Sequence, residues 1–530
     1  MESLERAGTE VVFGYPGGNV IDIFDSLRTA RFRFVLGRHE QGCVHMADGY
    51  ARATGRPGVA VVTSGPGATN AVTGLATANV DGVPLVLISG QVPLAEIGTD
   101  AFQEADMTGI CRAATKHSFL VKSADEIPET VAEAFYIATH GKPGAVVIDI
   151  PRNVQEARTS ATYPERISLR AYHPEHAATT TEVNRLAKLL NAAARPVLFA
   201  GGGVIAANAA ADVAALSSKA GLAVVTTLMG LGSVDERDPR ALGMAGIHGS
   251  PAANAALAEA DLVVALGVRF NDRVTGALGH HARGRRIVHV DCDPSSIDKN
   301  VRVDLGIVAD IKDLITTVNS RVRPNAREAW QSRLAELKRD LPVPCPPSRR
   351  GLIPPPAVIA AIDRATCGEA VLVADVGQNQ MWCARHSCHS RPRRFISSGG
   401  MGTMGFAIPA AIGAAIARPD RKVVAVMGDG GAQMTAEELI VAAEERLPIA
   451  FIVLNNRSLG LVRQMQETEF GGRLFATRLV SPDFVLLARA HGLRGVRVDD
   501  PARLDAAIAR AVRARGPVLV EVLVDPAANV

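Results

Sequence analysis

Aromatic side chains are scarce in this chain, at 4% of residues with 2 Trp and 5 Tyr, and no basic stripe interleaves with them. A nucleic-acid-binding surface needs both, so none is expected. An excess of one charge is also missing: 57 basic and 54 acidic residues leave a formal net charge of +3, which implies no polyanionic partner. No uninterrupted apolar run is long enough to cross a bilayer. The start, MESLERAGTEVVFG, lacks the basic stretch and apolar core of a secretory leader. A cytoplasmic protein with no membrane partner is the expectation. Seven cysteines, scattered from Cys43 to Cys388, fit reduced thiols rather than a disulfide framework. Cys383, His386, Cys388 and His389 form the tightest group of metal-type ligands. No second spaced pair accompanies them, so surface and core thiols are the expected reading.

What the chain does have is glycine at the ends of short aliphatic runs. Its 530 residues exceed one hydrophobic core and point to about three domains. Runs such as GVAVV, PVLFA, LVVAL and KVVAVMG alternate with alanine-rich helical stretches, the pattern of α/β, doubly wound parallel-sheet domains. Three blocks separate, at 1–157, 178–335 and 357–530. The proline-rich LPVPCPPSRRGLIPPP lies in the linker, 336–356. In such sheets ligands sit beyond the carboxyl ends of strands, where the glycine clusters here lie.

Strand KVVAVM runs into Gly428, Asp429, Gly430 and Gly431. The helix TAEELIVAAEE follows, with Thr435 and Glu438 spaced as a capping box. The next strand, IAFIVL, ends at Asn455 and Asn456, bringing an amide oxygen to the neighbourhood of Asp429. Hard oxygen ligands of this kind suit magnesium, which takes its remaining ligands from water and a diphosphate. The carbonyl near Ser458 completes the protein's share, and the glycines let main-chain N–H groups approach phosphate oxygens. In the first block Glu40, in GRHEQG, follows the strand-like FRFVLG and opens a helix. It stands between two further glycine-bearing strand ends, FGYPGG and TSGPGATN.

The GDG loop followed by a strand ending in NN resembles the diphosphate-binding motif of thiamine-dependent enzymes. Across almost the whole chain, FGYPGG, RHEQG, YARATG, TSGPGATN, GQVP, IGTDAFQEADMTGI, TKHSFLV, TLMGLGS, GVRFNDRVTG, VGQNQMW and LNNRSLGLVRQ are similar to the catalytic large subunit of acetohydroxyacid synthase, also called acetolactate synthase. The resemblance implies a pyrimidine-binding domain over 1–157, a central Rossmann-like FAD-binding domain over 178–335 and a thiamine diphosphate and magnesium domain over 357–530. It further implies that Glu40 activates the cofactor from the aminopyrimidine side and that Gly18, with Gly17, lets substrate come close. Met404 would wedge the cofactor into its bent form. Gln378, Asn379, Gly402, Gly428, Gly430, Gly431 and Leu459 would line the cofactor, with Asp429, Asn456 and Ser458 holding Mg2+. Phe102 and Gln103 match residues lining the reacting carbons, and Arg273 matches the arginine that receives the acceptor carboxylate. FAD would be held by Lys142, Gly201, Gly202, Gly203, Thr227, Leu228, Gly246, His248, Gly267, Arg269, Asp291 and Asp310.

The implied reaction decarboxylates pyruvate on thiamine diphosphate and transfers the hydroxyethyl unit to a second 2-oxo acid, pyruvate or 2-oxobutyrate. This is the chemistry of branched-chain amino acid biosynthesis. The family also implies a homodimer or tetramer, with Glu40 and Asp429 across the dimer interface, and a place for a regulatory small subunit. Four positions depart from common family usage. Met465 stands in place of a tryptophan that shapes preference for the larger acceptor, Asn379 in place of a histidine, Ala432 in place of a larger residue, and Lys142 in place of an arginine. The last residues, VDPAANV, stand before the proline-rich tail that often covers the active site, and the first helix is short. Rival readings are another thiamine-dependent decarboxylase or carboligase, and an inactive paralogous subunit; retention of Glu40, Gln103, Arg273, Asp429 and Asn456 argues against the latter.

Overall fold

The computed structural model describes residues 1–276, 284–345, 349 and 351–530. Positions 346–348 and 350 of the linker lie outside the described residues. The chain divides into two compact units.

The first unit comprises Met1–His173, Glu369–Gly377 and Ile396–Pro526 and holds two six-stranded sheets. One has the spatial order Arg33–Leu36, Val11–Tyr15, Gly58–Val62, Leu85–Gln91, Ala145–Pro151, His117–Leu120. The other runs Phe395–Ser397, Val371–Ala374, Val423–Gly428, Ile449–Asn455, Val518–Leu523, Arg494–Val498. Numbered within each domain, both sheets read 2-1-3-4-6-5 and share one wiring. Chain order reverses beside the first strand in each case, which opens a crevice beyond the carboxyl ends of the first and third strands. The central strands are buried along their whole length, as expected for sheets with helices on both faces.

Helices Glu40–Thr54 and Ala407–Ala417 join the two sheets into one core. The first opens on His39, whose ring nitrogen accepts from the N–H of Gln41, and closes on Gly55 in the left-handed conformation, φ 80°. The second, AIPAAIGAAIA, is apolar on every face and buried throughout. The helices cross at two glycines. A β-carbon on Gly49 would collide with the carbonyl of Ala410, and one on Gly413 with that of Met46.

The second unit comprises Pro174–Gly368, Gln378–Phe395 and Ala527–Val530. Its sheet has the order Leu305–Val308, Arg286–Asp291, Leu262–Leu266, Pro196–Ala200, Ala223–Thr226, Ala241–Met244. Read from the far edge this is 3-2-1-4-5-6, the dinucleotide-binding order, with its switch point between Pro196–Ala200 and Leu262–Leu266. Helices Thr180–Ala192, Ala210–Ala220 and Ile311–Arg321 cover one face. Pro251–Glu259 and Glu328–Asp340 cover the other, so the first five residues of the segment 336–356 belong to a helix. Thr179 and Glu182 form a reciprocal capping box. Buried His389 turns its Nε2 toward the Cys383 carbonyl, 3.2 Å away, which accounts for that ring without a metal.

Candidate active site

Strand Val423–Gly428 delivers Asp429 to the crevice of the third sheet. The carboxylate is fully buried. Its Oδ2 accepts from the Ser481 hydroxyl at 2.6 Å, whereas Oδ1 is buried with no hydrogen-bond partner. Burial pushes the Asp429 pKa up, against the pull of Ser481 and of N–H groups at Asn456 and Ser458. A buried, unpaired carboxylate oxygen is costly unless a cation meets it, so the donor set suits a hard divalent ion. Among the described residues no three His, Cys, Asp or Glu side chains gather around one point. An ion at Asp429 must therefore draw on amide, carbonyl and diphosphate oxygens, as magnesium does.

The two asparagines at the end of Ile449–Asn455 divide their work. Asn455 turns inward, its Nδ2 donating to Glu521 at 2.7 Å. Asn456 stays beside the loop, its Oδ1 accepting from the N–H of Ser458 at 3.0 Å. Gly430 brings the proposed cofactor residues together. A β-carbon there would lie 2.9 Å from Leu459 Cδ2 and 3.5 Å from Met404 Cε, so glycine keeps a cradle open beneath both. At Gly431 a β-carbon would lie 2.7 Å from Asp375 Oδ1. Asp375, which the sequence reading did not single out, accepts from the N–H groups of Gly405 and Ala407 at 3.1 and 3.0 Å. Burial raises its pKa to about 6.

In the first sheet Glu40 is buried at the start of its helix. Asn70 donates to its Oε2 at 3.0 Å, and Gly67 packs close enough that a β-carbon would sit 3.2 Å from Oε1. Gly17 lies against Thr63, with room for no side chain at 2.5 Å, while Gly18 faces open space. Gln103 adopts φ 63° beside Gly65, where a β-carbon would fall 2.9 Å from Gln103 Cβ. Phe102 is 87% exposed. Their loop is tied down from below by Gln91, whose Nε2 donates to the Ala105 carbonyl at 2.7 Å and to Asp149 Oδ2 at 3.0 Å. Ser89 also donates to Asp149, a buried carboxyl whose pKa burial raises to about 7. Glu40 and Asp429 thus have separate surroundings within the first unit.

The expected capping box at Thr435 and Glu438 does not form. Thr435 Oγ1 instead donates to the Gly405 carbonyl at 2.7 Å. Glu438 accepts from the N–H groups of Arg38 and His39, bracing the turn that precedes Glu40. Burial raises its pKa to about 7. Local spacing was satisfied, but a distant pair of buried N–H donors competes better for the carboxylate.

In the second unit Gly201, Thr227, Gly267 and Asp291 follow neighbouring strands at one end of one sheet. Gly201 and Gly203 pack on Gly267, leaving no space for β-carbons; Gly267 has φ 60°. Gly202 begins a short helix beside Met229. Thr227 caps the turn containing Leu228, accepting from the N–H of Gly230, and Asp310 caps Ile311–Arg321. Arg269 is half-buried, its carbonyl accepting from Asn300. Gly246 lies against the Arg273 backbone, and the N–H of Ile247 donates to the Arg273 carbonyl at 2.9 Å. Burial, aided by the charges of Arg273 and Arg385, lowers the pKa of His248. Arg273 keeps an exposed side chain, 3.5 Å from Asp272. Gln378 and Asn379 are buried at the start of Gln378–His386, with Gln378 donating to the Ala528 carbonyl. Lys142 belongs to the first unit, in the turn before Ala145–Pro151.

Three family models match the chain in order: the thiamine pyrophosphate enzyme N-terminal TPP binding domain over 1–110, the central domain over 183–318 and the C-terminal TPP binding domain over 375–522. The fold and the motifs at its strand ends define a thiamine diphosphate-dependent enzyme. An acetolactate synthase of Mycobacterium bovis is 45% identical over 511 residues, spanning 94% of this chain and 83% of the relative. The acetolactate synthase large subunit of Haemophilus influenzae is 42% identical over 543 residues, spanning 100% and 94%. The acetolactate synthase isozyme 3 large subunit of Escherichia coli K12 is also 42% identical, spanning 100% and 95%. The chain belongs to the acetolactate synthase large-subunit family.

Proposed function

We propose that this chain is the catalytic subunit of an acetolactate synthase, a transferase that decarboxylates pyruvate and joins the remaining two-carbon unit to a second 2-oxo acid in branched-chain amino acid biosynthesis. The observation that carries the site assignment is the orphaned, buried Oδ1 of Asp429 beside the Gly430 cradle. Asp429, Asn456 and the Ser458 carbonyl hold Mg2+ in this reading. Gly428, Gly430, Gly431, Leu459, Met404, Gly402, Gln378 and Asn379 hold the cofactor. Bound thiamine diphosphate supplies an electron sink for the carbanion left by decarboxylation. Glu40 holds a proton at the aminopyrimidine ring nitrogen, and its burial with Asn70 fixes the direction in which the carboxyl points. Gln103, Phe102 and Gly18 shape the space around the reacting carbons. Arg273 receives the acceptor carboxylate as a planar two-point donor.

FAD is placed in the second unit, at the switch point bounded by Gly201–Gly203, Thr227 and Gly267, with Lys142, Leu228, Gly246, His248, Arg269, Asp291 and Asp310 as further contacts. The strand order and the close glycine packing there suit a dinucleotide. Because the overall reaction moves no net electrons, FAD serves a structural part. The separate surroundings of Glu40 and Asp429 favour a homodimer or tetramer in which Glu40 of one chain completes the Asp429 site of another, with a regulatory small subunit as further partner. Among the described residues no helix is long and apolar enough to cross a membrane, in keeping with a cytoplasmic enzyme. Met465 in place of tryptophan favours pyruvate as acceptor.

The test is product analysis of the purified protein with thiamine diphosphate, Mg2+, FAD and pyruvate, with 2-oxobutyrate in competition. Acetolactate formation abolished by Glu40→Ala is expected. Carbon dioxide release without acetolactate would point to a decarboxylase or another carboligase. Equal background from wild type and Glu40→Ala would point to an inactive subunit.

A further inference from the structure

The loop 397–405, which carries Gly402 and Met404, is anchored at its ends within its own domain. Ser397 Oγ donates to the Ala374 carbonyl at 2.7 Å, and the N–H of Gly405 to Asp375 at 3.1 Å. Its middle is held from the other sheet of the first unit. Asp81, at the end of helix Val72–Asp81, accepts from the N–H of Gly400 through Oδ1 at 2.8 Å and from that of Gly399 through Oδ2 at 3.1 Å. Arg52 Nη2 lies 3.0 Å from the same Oδ2, and Arg52 Nη1 donates to the Ser397 carbonyl at 3.0 Å. Arg52 also pairs with Asp48 one turn earlier, and the acidic side chains of this triad are fully buried. One turn back on the Asp81 helix, the hydroxyls of Thr77 and Thr403 are 2.7 Å apart, immediately before Met404.

The sequence Gly399-Gly400-Met401-Gly402 gives this stretch little side-chain packing of its own, and Met401 is half exposed. A glycine-rich loop loses much backbone entropy when ordered, so an external clamp decides whether it is already in place when a ligand arrives. We propose that Asp81 is a positioning residue for cofactor binding: with Arg52 and Thr77 it holds the loop so that Met404 meets Gly430. The N-terminal domain thereby preorganises the cofactor cradle of its own chain, as well as contributing Glu40. This rests on the reading above that Gly402 and Met404 contact thiamine diphosphate.

The experiment compares Asp81→Asn, Thr77→Val and Met404→Ala with wild type in the full chain. Affinity for thiamine diphosphate is measured at saturating Mg2+, by activity titration and by the cofactor-induced rise in melting temperature. Asp81→Asn should weaken affinity roughly tenfold and Thr77→Val by a smaller factor, while kcat at saturating cofactor and the KM for pyruvate stay within about twofold. Wild-type cofactor affinity in both brace variants, with only a lower melting temperature, would reduce the contacts to domain glue and overturn the proposal. Should Asp81→Asn not fold, Thr77→Val decides in the same assay. Wild-type affinity in Met404→Ala would instead remove the underlying reading of the loop, and the proposal with it.

Discussion

Glu438 accepts a hydrogen bond from the backbone N–H of His39 at 3.0 Å, so a carboxyl group of the C-terminal domain seats the turn that delivers Glu40. Burial raises its pKa from 4.5 to about 7, so the folded state favours the neutral acid. The corresponding stability is fully present below about pH 4.5 and is lost as pH rises through about 7. Glu438→Gln should flatten the fall in unfolding free energy between about pH 5 and about pH 8, by up to about 3 kcal/mol. Asp149 and Glu236, also raised to about 7, titrate in both proteins, so the difference between the two urea-unfolding profiles isolates Glu438. Parallel profiles would show that the carboxyl is not buried as described.

Asp429→Asn removes a buried charge whose Oδ1 has no partner. Without cofactor and metal, the variant should be at least as stable as wild type. Thiamine diphosphate with Mg2+ should raise the melting temperature of wild type alone, and turnover should fall by at least roughly 100-fold. A variant less stable without ligands but still stabilised by them would move the metal away from Asp429.

Gln91 spans Ala105 and Asp149 directly under the loop bearing Gln103. Gln91→Leu should release that loop and lower kcat/KM for 2-oxo acids by roughly tenfold or more, leaving thiamine diphosphate affinity intact. Steady-state kinetics with varied pyruvate and varied cofactor separate the two effects. A matched loss in both would assign Gln91 to general stability.

Gly413→Ala would ordinarily strengthen a helix by about 1 kcal/mol. Here the added methyl meets the Met46 carbonyl of the crossing helix, and the expected outcome is a net loss of about 1–3 kcal/mol, read by chemical denaturation. A gain in stability would mean that the helices lie further apart.

Much of this architecture was legible in the chain because central strands such as Gly58–Val62 and Ile449–Asn455 are unbroken aliphatic runs closed by glycine or asparagine. Edge strands were harder. Arg494–Val498 alternates little and is mostly exposed, and His117–Leu120 is no more than half-buried; each pairs on one side only, so no apolar run marks it. Within the candidate site, residues on motifs could be named, whereas Asp375, Asp149 and Asp81 could not. Their importance comes from backbone groups far away in sequence, 318 and 319 positions for Asp81, and no local pattern carries that. Glu438 shows the same limit in reverse, since a correct local spacing pointed to the wrong partner. The shared 2-1-3-4-6-5 wiring of two domains likewise appears only when strands are placed side by side.

The crossing of Glu40–Thr54 with Ala407–Ala417 also determines where this molecule is able to move. With Gly49 and Gly413 setting main chain against main chain, no layer of side chains remains between the helices to slide or re-pack. The two thiamine-binding domains of one chain therefore travel together through a catalytic cycle. Admission and release of small molecules falls to surface segments such as 458–481, where Phe475 and Val480 stand 82% and 95% exposed. Turnover in this enzyme is paced by loops riding on a rigid pair of sheets.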